Sequence, residues 1–191
     1  MIVPREDFVA RTARIAGVFS ALALISAALP AGVASAAPAV GTPGAPVVPA
    51  ALQPPAGNAV HAVLRARGVQ IYECKRSMWQ PLEPAASLTG TTVNPARKVT
   101  AVHFRGPAWV SDQDGSMVQG TDPVTEPATE PGSLPLSLYR ATGNRGGGLF
   151  GPVTWIQRID THGGAAPATS CGGDQPVAVP YRALYRFFTK K

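Results

Sequence analysis

From residue 181 to 190 the side chains alternate with a two-residue period. Tyr181, Ala183, Tyr185 and Phe187 fall on one face, and Arg182, Leu184, Arg186, Phe188 and Lys190 on the other. That is the period of a β-strand with one face in a core and a mixed face half in water. Shorter alternating runs at 60–64, 68–74, 98–104, 108–111, 116–119, 134–142 and 153–159 are separated by Gly, Pro, Asp and Asn, the residues that punctuate strands. Asp114-Gly115 is a hairpin-turn signal between two of them. Pro135 favours an edge position for its strand. Helical spacing is hard to find; residues 83–88 could form one short helical turn. The pattern predicts a mostly β fold with little helix, a single-domain β-sandwich or partly closed β-barrel.

The alternation does not extend to the N-terminal part of the chain. Three arginines (Arg5, Arg11, Arg14) precede an apolar run over residues 15–28, followed by Pro30, Gly32 and a small-x-small site at Ala34-Ser35-Ala36. This is the layout of a cleavable secretory signal peptide over residues 1–36, cut between Ala36 and Ala37. Pro30 and Gly32 interrupt the run before the ~20 residues a membrane-spanning helix requires, so contact with the membrane is expected only in transit. Residues 37–56 hold prolines at 38, 43, 46, 49, 54 and 55 and read as an extended Pro/Ala-rich linker. The fold is then expected over 57–191, one domain by size. The expected location is secreted or periplasmic.

An exported chain oxidises its thiols, and the two cysteines, Cys74 and Cys171, make an even count that argues for one disulfide between them. The net charge of +6 is made of scattered single residues. It bears on solubility and on nonspecific attraction to anions. With export and no nucleic-acid-binding module in the sequence, it speaks against DNA or RNA as a partner. Arg182, Arg186 and Lys190 share a strand face that could meet an anionic polymer or envelope surface, though a solvated sheet face gives the same pattern.

No cofactor or metal motif survives inspection. Residues 146–151 spell G-G-G-L-F-G and match G-x-G-x-x-G, but Pro152 and a strand pattern follow where a dinucleotide site needs a helix. Asp112-x-Asp114-Gly115 lacks the further ligands of a calcium loop, and His61, His103 and His162 have no ligand spacing. The candidate ligand-binding residues are His103, Trp109, Asp112 and Asp114, grouped between two predicted strands. Trp79, Trp109 and Trp155 with Tyr181 and Tyr185 could line a cavity, or be plain core.

The runs G-V-Q-I-Y-E-C (68–74), H-F-R-G-P-A-W (103–109), V-T-W-I-Q-R-I-D-T-H-G-G (153–164) and V-P-Y-R-A-L-Y-R-F-F (179–188) stand in this order. Trp79, Glu83-Pro84-Ala85, Asp114-Gly115-Ser116, Pro167 and Cys171 lie among them. In order and spacing the set resembles the domain of unknown function 3455 family, exported bacterial proteins with fungal relatives. The stretch 134–140 departs from the pattern, lacking a tryptophan-containing apolar strand. The resemblance implies a secreted, β-rich single domain with both cysteines in their familiar places, and implies no activity. Three functions are expected in turn. The first is a non-catalytic exported domain that binds a small ligand or envelope component. The second is an extracytoplasmic hydrolase using His103 as base and Asp114 as its partner. The third is a structural or stress-related surface protein.

Overall fold

The computed structural model describes residues 46–191. The signal peptide, its cleavage site and the first part of the linker lie outside the described residues. Eight strands follow one another: β1 (Asn58–Lys75), β2 (Met78–Thr92), β3 (Lys98–Phe104), β4 (Ala108–Ser111), β5 (Met117–Glu126), β6 (Leu136–Ala141), β7 (Val153–Gly163) and β8 (Val177–Lys190). Each pairs antiparallel with the next, and β8 returns to pair with β1, so the sheet closes into a barrel. The mostly β expectation holds, and of the two architectures the barrel is found, fully rather than partly closed.

Closure follows from the sequence period. Alternate residues of each strand point inward, and an eight-stranded barrel has an interior just wide enough for side chains to fill. Ala62, Leu64 and Ala66 of β1, Leu88 of β2, Ala101 of β3, Trp109 of β4, Val118 of β5, Ile156 of β7 and Tyr185 and Phe187 of β8 form one buried cluster. Small residues sit where large ones need room. A side chain on Gly120 would run into Tyr139 and Trp109. The apolar inside, with Arg65, Arg67 and Arg182 outside, is the reverse of a membrane-spanning barrel, whose outward face is an apolar band. Among the described residues no helix is long and apolar enough to cross a membrane.

Three details depart from the sequence reading. Residues 83–88 belong to β2 and not to a helical turn, because cross-strand pairing with β1 overrides their weak local preference. Pro135 precedes β6 and makes no edge, since the closed sheet gives that strand partners on both sides. The part of the expected linker that is described also packs on the barrel. A single 3-10 turn at Ala50–Leu52 presses Leu52, fully buried, against Leu136 and Leu138, with Val48 and Trp155 around them. Gln157 Nε2 donates to Leu52 O at 2.6 Å. Proline suits such a strap, since it leaves few N–H groups to satisfy while apolar residues bury.

The expected disulfide joins Cys74 on β1 to Cys171 in the β7–β8 loop, across a sequence separation of 97.

Candidate functional site

One end of the barrel, here the upper, gathers the segments 93–97, 112–116 and 142–152. The lower end gathers 76–77, 105–107, 127–135 and 164–176. The upper end is stoppered by Leu149 and Phe150, whose side chains reach the core. The glycine-rich run makes this possible. Gly146 and Gly148 take positive φ (72° and 64°), and a side chain on Gly148 would collide with the Asp114 carboxylate. Asn144 Nδ2 then holds the loop through the carbonyls of Phe150, Gly151 and Val153. The G-x-G-x-x-G match is thus the tight turn that seats the stopper.

Asp114 belongs to the same device. Its Oδ1 accepts from Ser116 N–H and its Oδ2 from Leu149 N–H, each at 2.9 Å, while Ser116 Oγ accepts from Phe150 N–H at 3.0 Å. Desolvation works against the charge. The Ser116 hydroxyl and the Leu149 and Ser116 amides outweigh it and hold the carboxyl at about 2. Asp112 stands exposed at the hairpin tip.

His103 and Trp109 are brought together, but inside. Their rings stack at 4.3 Å between centroids, 2° from parallel. Tyr185 meets both edge-on, and Tyr139 and Phe187 meet Trp109 edge-on. His103 Nδ1–H donates to Ala108 O at 2.9 Å, which fixes the tautomer. Burial, aided by the nearby Arg158 charge and only partly opposed by that hydrogen bond, lowers its pKa to about 3. The imidazole stays neutral at physiological pH. The four candidates therefore split into a buried ring pair and an exposed hairpin tip. The pairing of Asp114 with His103 is not made: Asp114 is occupied by loop amides and His103 by its own hairpin's carbonyl. Of the three tryptophans only Trp109 faces the lumen; Trp155 lies under the N-terminal strap and Trp79 on the protruding β1–β2 arm.

The residue that sequence reasoning missed is Arg158. It sits in the lower lumen at 8 % exposure. Its Nε donates to Pro135 O and one Nη to Ser137 Oγ, both at 3.0 Å, and the guanidinium carbon lies 6.0 Å from the Tyr139 ring centroid. None of the ion pairs among the described residues involves it. Desolvation opposes its charge, but the surrounding oxygens of Tyr139, Tyr185 and Tyr181 more than offset that, so it remains a cation. Tyr181 and Tyr185 close the ring around it with buried hydroxyls that have no hydrogen-bond partner among the described residues. Burial raises the pKa of both, Tyr185 far above the ordinary value, so the phenols are neutral. Tyr181 and Tyr185 were legible as the inward face of β8. Arg158 carried its own signal, an arginine two residues from Ile156 on the inward face of the strand pattern at 153–159.

Among the described residues no group of three metal-ligating side chains forms. A surface cleft of about 520 Å³ lined by Glu73, Lys75, Arg76, Met78, Gln80 and Pro81 lies on the exposed arm.

A β-meander closed strand to strand, stoppered at its upper end and enclosing below a guanidinium that makes no ion pair among the described residues, defines a small β-barrel. The chain belongs to the family described as Protein of unknown function (DUF3455), whose model matches residues 55–189. No curated protein and no solved structure matches it.

Proposed function

We propose that the protein is an extracytoplasmic, non-catalytic binding domain that encloses a small ligand in the lower lumen. One observation carries this reading: among the described residues, two buried phenol hydroxyls, on Tyr181 and Tyr185, stand without partners beside a buried guanidinium that makes no ion pair. Buried polar groups in folded proteins are nearly always satisfied, and an orphan cluster signals a missing partner. The disulfide supports an oxidising compartment, as does the signal-like N-terminal sequence. A hydrolase would need a base titrating near the working pH. His103, whose pKa burial lowers to about 3, lies well below that range.

The test is a paired native and denaturing mass measurement on protein purified from its own culture. A native mass heavier than the denatured one, with the excess lost in Tyr181→Phe/Tyr185→Phe, is the expected outcome. Equal masses in the wild-type protein would sink the reading.

A second reading, attachment to an anionic envelope surface, draws on the outer face. Arg67 of β1 stands directly opposite Arg182 of β8, which in turn pairs with His162 of β7. Like charges directly opposite are destabilising unless something neutralises them. A shallow cleft of about 380 Å³ runs along the three. Salt-sensitive sedimentation with anionic vesicles, abolished in Arg67→Ser/Arg182→Ser, would favour this reading; sedimentation indifferent to both would remove it.

A further inference from the structure

The polar groups that converge on the lower lumen are a guanidinium, which only donates, and phenols, each of which carries an O–H donor beside an acceptor oxygen. A guanidinium has five N–H donors and no acceptor. Pro135 O and Ser137 Oγ take two of Arg158's. Tyr181 and Tyr185 each hold an unpartnered O–H. Tyr72 O–H already donates to Gly164 O at 2.5 Å. The nearby carboxylates are turned away. Glu130 and Asp160 both engage His162 on the outer surface, and Asp160 also faces Arg65. Asp160 reaches outward because its backbone adopts a positive φ of 51° at the β7 bulge.

A water molecule would satisfy single hydrogen bonds but brings as many donors as acceptors and no charge. A buried cation left without a counter-charge is disfavoured by several kcal/mol, roughly, even after relaxation. What fits is a group that only accepts and that carries one negative charge.

We propose that Arg158, Tyr181 and Tyr185 form an anion site that holds the carboxylate of a small organic acid inside the barrel. This rests on the reading of the lower lumen as the binding site. A planar guanidinium edge matches a planar carboxylate, and charge-assisted bonds of this kind are roughly twice as strong as neutral ones. The two phenols supply the remaining donors. Inorganic phosphate shares the acceptor chemistry but brings up to two charges to a single cation.

The experiment measures thermal melting of the protein, stripped of ligand by denaturation and refolding with its disulfide intact, against rising sodium benzoate, benzamide or inorganic phosphate. Benzoate is expected to raise the melting temperature in proportion to the logarithm of its concentration, as a ligand of the native state does. Benzamide, of the same shape without the charge, is expected to do nothing. Arg158→Gln should weaken the benzoate response at least about tenfold in apparent affinity. Tyr181→Phe/Tyr185→Phe, which removes two donors and keeps the packing, should weaken it too and stands in if Arg158→Gln does not fold. Equal responses to benzoate and benzamide, or a benzoate response that survives both variants, overturn the anion site while leaving lumen binding intact. A larger response to phosphate than to benzoate overturns the carboxylate assignment. No response to any probe, joined to equal native and denatured masses, removes the anion site and the binding reading together.

Discussion

Asp114 and Arg158 are charges of opposite sign handled in opposite ways. Asp114 is exposed, yet its carboxylate is tied to the amides of Ser116 and Leu149 and so staples the stopper to the β4–β5 hairpin. Its pKa lies below the unfolded value of 3.8, at about 2. The stapling is therefore fully present above pH ~4 and fades as pH falls from there through about 2, because protonation is favoured in the unfolded chain first. Amide exchange at Leu149 and Phe150 is expected to speed up over that window. Asp114→Ala should cost about 1–3 kcal/mol by urea denaturation, the price of two orphaned N–H groups. Trp109 makes a second test at this scale. It is fully buried among four rings, and Trp109→Ala should cost about 3–5 kcal/mol. A loss under 1 kcal/mol would mean it lines an open pocket and does not fill the core.

At the scale of elements, most strands were legible because the period of two is local information. Residues 98–104 and 108–111 were read with the bounds that β3 and β4 adopt. The long β1 was read as two pieces, since Arg65 and Arg67 on its outer face break the apolar run although the backbone continues. The strap at 46–56 was not legible as packed structure. Its composition is that of a linker, and only the complementary apolar patch of Leu136, Leu138 and Trp155, more than eighty residues away, gives Leu52 a place to bury. Leu52→Ala is expected to cost about 2–5 kcal/mol, measurable as a drop in the urea midpoint. The lower-end segment 127–135 has its own tie, the Glu130–His162 contact at 2.9 Å. The Glu130 hydrogen bond, with Asp160's help against slight desolvation, raises the His162 pKa above 6.5. The tie is present below pH ~6.5 and is lost as pH rises through that raised value. Proteolysis within 127–135 is expected to quicken between pH 6 and pH 8, and to lose its pH dependence in Glu130→Gln.

For the whole molecule, the sequence left sandwich and barrel open because closure is a contact between the two ends of the fold. No local period announces that β1 will meet β8. Nor could the site be read, since the isolation of Arg158 depends on Glu130 and Asp160 turning outward from neighbouring segments. The disulfide adds a second long-range link. Tying a loop this long restricts the unfolded chain by up to ~4.7 kcal/mol in the chain-entropy model. Cys74→Ser/Cys171→Ser should lower stability by a large part of that, read as a shift in the denaturant midpoint with the slope nearly unchanged.

The β1–β8 ladder also sets the order in which a new chain can be finished. The ladder runs from Asn58↔Lys190 to Tyr72↔Val177, so the first strand made waits for the last. Until residue 190 is available, β1 and β7 both present raw hydrogen-bonding edges that any passing strand can join. A copy shortened before β8 would have no way to retire those edges, and neighbouring copies would complete each other.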